Sequence, residues 1–261
     1  MTKHIMLFAI DIGNTSTVLG IFDKANLKTE WRFTSKLMSE EDIWHQVEAF
    51  CTMNRIETET ISGVVIASVV PDQTLNFVRM AKRFLNTKAV VVSGELSVGM
   101  PLQYHEPKTL GADRICNAVA AYEKFGGPTI IVDLGMATNY DVISKKGEFL
   151  GGVIAPGVET SAAGLYRRTA QLPNIDLRFP GSVIRTDTRS AMQAGILYGA
   201  VDALEGMVRR IKEITGKKTK VIATGGYSAL IAKHTDQIDH LEPSLVLEGA
   251  RLIYARVIGK M

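Results

Sequence analysis

A strand, an Asp-x-Gly turn and a second strand occur twice in this sequence, at Asp11-Ile12-Gly13 and at Asp133-Leu134-Gly135, 122 positions apart. Each copy continues into a third strand and a helix. Such a duplication constrains the architecture more than any single motif, because two copies of one supersecondary unit build two similar cores. In the first copy, residues 5–10 (IMLFAI) are apolar without interruption, as in a central strand buried on both faces. Asp11, Gly13, Asn14 and Thr15 make a short polar turn, and residues 18–22 run apolar again up to Asp23. A dinucleotide fingerprint or a Walker loop needs a helix directly after its glycines to hold phosphate. Here a strand follows. Any phosphate grip would come from hairpin N–H groups and the hydroxyls of Thr15, Ser16 and Thr17, with the Asp11 carboxylate facing a cation or water. Asn and Gly in a turn are also ordinary hairpin chemistry, and taken alone that is the plainer reading.

At 261 residues the chain holds one large domain or two small ones with ample core. Its start, MTKHIMLFAIDIGN, has too short an apolar run for a signal peptide. No stretch approaches the roughly 20 apolar residues of a membrane span. Cys51 and Cys116 form no CxxC pair, which points to core thiols in a reducing cytoplasm. The five histidines show no metal-ligand spacing. A net charge of +3 suits anionic small molecules but does not argue for nucleic acid.

Beyond the first hairpin, residues 27–35 alternate as a third antiparallel strand. Ser39 followed by Glu40, Glu41 and Asp42 opens a helix whose inner face is Ile43, Val47, Phe50 and Cys51. Residues 63–70 read as a buried strand, Pro71 opens a helix to about Asn86, and residues 89–93 form another strand. The stretch 93–111 is irregular yet carries Tyr104 and His105, and a loop of that length in a compact domain is usually functional or disordered. A helix from Gly111 to about Phe125 precedes the second copy. There strands at 128–132, 140–143 and from Phe149 are followed by a helix from Val158, a loop through Pro173 and Pro180, and a long helix over 188–215. A strand at 220–223 ends in Thr224-Gly225-Gly226, and two helices finish the chain. The pattern is α/β, with mixed sheets flanked by helices.

Duplicated domains that each open with an Asp-x-Gly hairpin, with a strand ending in Thr-Gly-Gly, resemble the actin/Hsp70/sugar-kinase superfamily. That resemblance implies two RNase H-like (actin-like ATPase) domains, residues 1–117 and 118–261, with ATP in the cleft between them. The last helix is free to pack back on the first domain. Within the superfamily the sequence is similar to type III pantothenate kinases. The motifs that carry this are Asp11-Ile12-Gly13-Asn14-Thr15, Tyr104 with Pro107 ahead of Gly111-Ala112-Asp113-Arg114, and Asp133-Leu134-Gly135. Gly151-Gly152 with Pro156-Gly157, Thr188 with Ala191 and Gly195, and Thr224-Gly225-Gly226 complete the set, in the family's order.

The implied reaction moves the γ-phosphoryl of ATP to the primary hydroxyl of pantothenate, in the first step of coenzyme A biosynthesis. Phosphoryl transfer needs positioning, charge stabilisation and a carboxylate for the hydroxyl proton. Asp113 is that base, although a carboxylate at a helix start also serves simply by meeting the macrodipole. Arg114 can pair bidentately with the pantothenate carboxylate, and Gly111, Ala112, Tyr104 and Thr188 complete the implied acceptor set. For Thr188 a helix-capping role competes evenly. ATP phosphates fall to Asp11, Ile12, Gly13, Asn14, Thr15, Ser16, Thr17 and Val18, with Asp11 meeting Mg²⁺ through phosphate or water. Met136, Thr138, Gly151, Gly152 and Gly225 are placed at the nucleotide from the second domain. The resemblance assigns a monovalent cation, K⁺ or NH₄⁺, to Asp133. It also implies a homodimer whose partner helps wall the acceptor pocket. The Arg167-Arg168 pair with Arg178, Arg185 and Arg189 reads as a solvated face.

The family's second hairpin reads Asp-Phe-Gly-Thr-Ala-Thr-Thr, whereas this chain has Met136 at the first Thr and Asn139 at the last. Methionine cannot donate a hydroxyl hydrogen bond to phosphate, so weaker ATP binding is expected, with Thr138 compensating in part. Two other readings stay open: a non-catalytic, actin-like nucleotide-binding accessory protein, and a kinase for another small alcohol.

Overall fold

The computed structural model describes residues 6–259; Ile5, at which the sequence starts the first strand, lies outside the described residues. The chain divides into two compact units. One runs up to Ala120 and resumes at Ser244; the other is Ala121–Pro243.

The first unit opens with β1 (Met6–Ile12), β2 (Ser16–Asp23) and β3 (Asn26–Thr34). Then come α1 (Glu40–Met53), β4 (Ile61–Ser68), α2 (Pro71–Phe84), β5 (Val90–Val91) and α3 (Ala112–Phe125), within which the chain passes into the second unit. The sheet order is β3-β2-β1-β4-β5, antiparallel through the hairpins and parallel from β1 to β4 and β5. Alternation along β1 explains its unbroken apolar sequence. Phe8, Ile10 and Ile12 point into a core shared with Ile43, Val47 and Phe50 of α1 and Phe77 and Met80 of α2. The residues between them face the opposite side. The acidic first turn of α1 is capped by Ser39, whose hydroxyl accepts from Asp42 N–H at 3.1 Å. On the other face lies the last helix of the chain, α7 (Leu245–Ile258). Its Leu247 and Tyr254 press on Gly20 of β2 and Gly63 of β4, and its Gly249 packs on Cys116 of α3.

The second unit repeats the pattern with β6 (Thr129–Leu134), β7 (Ala137–Ile143), β8 (Phe149–Pro156), α4 (Val158–Arg168) and α5 (Thr188–Thr215). It closes with β9 (Lys220–Thr224), a single turn α6 (Ser228–Ile231) and β10 (His240–Leu241). The order β10-β9-β6-β7-β8 again combines an antiparallel meander with parallel strands, here β6, β9 and β10. Two mixed five-stranded sheets flanked by helices are thus the duplicated α/β arrangement that the sequence implies. Its core joins Ile130 and Val132 to Leu197, Leu204 and Val208 of α5. The irregular chain before α5 is pinned to that helix. Arg189 donates to Asn174 O (2.8 Å), Gln193 to Asp176 O (2.8 Å) and Tyr198 to Pro180 O (2.9 Å). The sequence does not show β10, because two residues pairing with Ile222 and Ala223 are too few to display a period. Where it suggests a helix after Gly226, the α6 turn runs into a 3₁₀ turn at Ala232–His234.

Candidate active site

In the first unit the β1–β2 hairpin pairs Asp11 with Val18 and Ile12 with Thr17, so Ser16 and Thr17 belong to β2 rather than to the turn. Gly13 N–H closes the turn on Ser16 O at 3.0 Å. Pairing puts Asp11 and Val18 on one face of the sheet, and Ile12 and Thr17 on the other. Thr17 is 1% exposed, and its Oγ1 lies 2.9 Å from Ser35 Oγ, which itself donates to Gly13 O at 2.7 Å. Ser35 N–H also donates to Thr15 O (2.8 Å). Ser35 thereby clamps the turn from the core side, leaving Asn14 and Thr15 exposed at its tip. Ile12 and Val18 are buried, so only their backbone groups could meet a ligand.

Asp113 sits in the first turn of α3. Its Oδ1 accepts the Arg114 N–H at 2.8 Å, while Oδ2 makes no hydrogen bond among the described residues. Gly111 permits this pose, since a Cβ there would lie 2.4 Å from Asp113 Oδ1. Burial raises the Asp113 pKa above the ordinary carboxylate value, and the Arg114 N–H and guanidinium oppose the rise. Arg114 is 6% exposed, with its guanidinium 5.9 Å from the centre of the Tyr104 ring. Ala112, at the start of α3, is buried. Asp11 joins this group from the sheet. The carboxylates of Asp11 and Asp113 both push up the pKa of the buried Cys116 thiol, after the larger effect of burial. The first unit therefore gathers Asp11, Asp113, Arg114 and Tyr104.

In the second unit Asp133 is the last residue but one of β6, level with Asn139 of β7 and Thr224 of β9. Gly225 follows β9 with φ +90°, and a Cβ on it would stand 2.5 Å from Asp133 Oδ1. The turn backbone at Met136 is fixed, because its carbonyl accepts from Gly157 N–H (3.0 Å) and Thr160 Oγ1 (2.6 Å). The Met136 side chain is nevertheless 43% exposed, whereas Thr138 is buried at 6%. Gly151 and Gly152 lie inside the edge strand β8. Gly152 pairs with Asp141, two residues along from Ile154, the β8 residue level with Asp133 through Asn139. Thr188 is the first residue of α5 and is exposed. The cap is Asp187, whose side chain accepts from Ser190 N–H at 2.9 Å, so the capping role considered for Thr188 falls to its neighbour.

Two participants were not singled out in the sequence. Ser35 carries no motif signal, because its contact is 22 residues away in the chain. Arg32 pairs with Val18 and so lies in the same cross-strand row as Asp11, where it donates to Ser16 Oγ at 2.9 Å. Counting strand register from the hairpin would have found it. Among the described residues no three His, Cys, Asp or Glu side chains gather as a metal centre.

A family model described as type III pantothenate kinase matches residues 7–210. A type III pantothenate kinase from Moorella thermoacetica is 42% identical over 252 residues, covering 96% of this chain and 99% of the relative. Among solved structures, a Baf family transcriptional activator from Campylobacter jejuni aligns over 97% of this chain and 100% of its own, with TM-score 0.59 and 18% identity. Component A of (R)-2-hydroxyglutaryl-CoA dehydratase from Acidaminococcus fermentans aligns over 98% of each chain, with TM-score 0.57 and 12% identity. At such low identities the two structures speak for the fold alone.

Proposed function

The chain belongs to the type III pantothenate kinase family, and we propose from that premise how its own residues serve the reaction. It is an ATP-dependent kinase that phosphorylates pantothenate for coenzyme A biosynthesis. The assignment of roles rests on the start of α3, where Asp113 keeps Oδ1 tied to the Arg114 N–H and Oδ2 open. Asp113 accepts the proton of the primary hydroxyl on Oδ2 as that oxygen attacks the γ-phosphorus. Arg114 takes the pantothenate carboxylate, and the Tyr104 ring beside it orients the acceptor. Asp11 and the exposed tip residues Asn14 and Thr15 face the phosphates. Mg²⁺ usually keeps several waters and is held by one or two carboxylates plus substrate phosphates. A single Asp11, with no protein-only metal cluster among the described residues, fits a metal that arrives with ATP.

Asp133 fits a monovalent cation in the same sense. Its carboxylate stands near the end of β6 beside main chain brought close by Gly225, and hard cations favour carboxylate and carbonyl oxygen. K⁺ or NH₄⁺ held there would neutralise phosphate charge. Purified protein is expected to release ADP from Mg-ATP only when pantothenate is added. Nucleotide binding without release would favour an accessory protein, and release with a different small alcohol would change the acceptor. Two free, buried thiols, Cys51 and Cys116, suit a reducing compartment, and we place the reaction in the cytoplasm.

Met136→Thr tests the departure in the second hairpin. Because two hydrogen bonds fix the Met136 carbonyl, the substitution changes only the projecting side chain. One recovered hydroxyl contact should lower the ATP KM roughly 2- to 10-fold without altering the pantothenate KM. An unchanged or raised ATP KM refutes it.

The homodimer is placed on the outer face of α5. The inner apolar residues of this helix fill their own core, while Ala191, Gly195, Gly199 and Ala203 form an exposed, small-residue row at four-residue spacing. Such a row lets a second helix approach closely. The protein should sediment as a dimer and Gly199→Arg as a monomer. A monomeric parent protein removes this assignment.

A further inference from the structure

Residues 94–107 form a closed loop whose ends touch, since a Cβ on Gly94 would stand 1.8 Å from Pro107 O. Compact loops with adjoining ends are frequently functional, and this one carries Tyr104. Its near half is anchored by side chains turned inward, with Val98 1% and Met100 8% exposed. Its far half reaches Arg114 through the Tyr104 ring. In the near half the loop meets the last helix of the chain. Arg256 Nη1 donates to Val98 O at 2.8 Å. Its side chain also lies flat on Gly99, whose φ is +76° and whose Cβ, if it had one, would stand 2.9 Å from Arg256 Cδ and 3.0 Å from Nη1. A left-handed glycine under a guanidinium makes a seat that a larger residue would fill. Arg256 lies beyond residues 7–210, the span matched by the family model.

We propose that Arg256 is a positioning residue for the acceptor, tethering the 94–107 loop through Val98 and Gly99 so that Tyr104 stays against Arg114. This rests on the reading of Tyr104 and Arg114 as acceptor residues. The energetic logic is that of a preorganised loop. A loop held in its binding conformation by a charged donor does not have to be ordered at the moment of binding. Because Arg256 acts through the loop that carries Tyr104, its loss should appear in acceptor binding rather than in the chemical step.

Arg256→Met keeps the aliphatic stem and removes the donors, while Arg256→Lys keeps a charge and a donor. The pantothenate KM of Arg256→Met should rise about ten-fold, the size of one charge-assisted hydrogen bond. Its kcat and ATP KM should stay within about two-fold, and Arg256→Lys should fall between parent and Met. Chymotrypsin should cut Arg256→Met faster than the parent at Leu96, Leu102 or Tyr104, a readout independent of turnover. Tyr104→Ala is the control. If Tyr104→Ala raises the pantothenate KM and Arg256→Met does not, the tether is refuted. A fall in kcat with both KM values unchanged refutes it as well. If Tyr104→Ala itself leaves the pantothenate KM alone, the acceptor reading falls and takes the positioning role with it. The cleavage rate then still reports whether Arg256 holds the loop.

Discussion

Asp113→Asn should lower kcat by about 10²–10⁴-fold while raising, not lowering, the melting temperature. The loss follows from removing the proton acceptor, since asparagine can still take the Arg114 N–H with its own Oδ1 and keep the helix start in place. The gain follows from linkage. Burial raises the Asp113 pKa in the folded protein, so the folded state binds its proton more tightly than the unfolded state does. Between the ordinary carboxylate pKa and the raised folded one, the unfolded chain carries fewer protons at this site, and stability falls as pH rises. Above both values the ionised carboxylate is a standing cost that a neutral isostere removes. The same shift moves the acid limb of the kcat/KM profile above the ordinary aspartate value in the parent, and the limb should disappear in Asp113→Asn. Near-normal turnover would end the base assignment. A lower melting temperature at neutral pH would show that the ionised form is stabilised by its surroundings rather than penalised.

How far this site was legible in the sequence depends on the range of each interaction. The two hairpins were legible because their signal is local: an unbroken apolar run, a glycine turn and a second run, repeated after 122 positions. The α1 boundary was legible for the same reason, as Ser39 and three acids announce it and Ser39 does cap it. The position of Asp113 at a helix start could be read, but its pose could not. That pose depends on the space Gly111 leaves for Oδ1 and on burial that only the packed unit supplies. The division of labour within the hairpin was likewise hidden. Thr17 lies next to Ser16 in sequence, yet strand register turns it into the core against Ser35, while Ser16 takes a hydrogen bond from Arg32. Thr188 shows the limit of composition arguments, since either it or Asp187 could cap α5 and the structure selects the aspartate. The Arg256 contact spans 158 positions and leaves no pattern in either segment.

Gly225→Ala should destabilise the second unit and abolish stimulation by K⁺, whereas Gly226→Ala should do neither. The two glycines are neighbours of the same composition and differ only in what surrounds them. At Gly225 the backbone has φ +90°, and a Cβ would stand 2.5 Å from Asp133 Oδ1 and 2.7 Å from the main chain of Leu134. At Gly226 a Cβ meets nothing within 4 Å. Left-handed backbone costs an L-residue about 1–2 kcal/mol, and forcing a methyl into packed main chain typically costs about 1–3 kcal/mol more. Leu134 cannot yield freely, because its carbonyl accepts the Tyr227 N–H at 3.0 Å. The added methyl therefore bears directly on the Asp133 carboxylate, the group assigned to the cation. Turnover with K⁺ against Na⁺, read beside thermal melting, separates the two effects. A stable Gly225→Ala protein that still prefers K⁺ would remove Asp133 from the cation site. Equal damage from Gly226→Ala would show that the carboxylate contact is not the cause. The first unit uses the same device, since a Cβ on Gly111 would stand 2.4 Å from Asp113 Oδ1. In each unit a glycine without a side chain leaves room for a carboxylate assigned to the reaction, and methyl groups at the two positions should impair different steps: proton transfer at Gly111 and cation activation at Gly225.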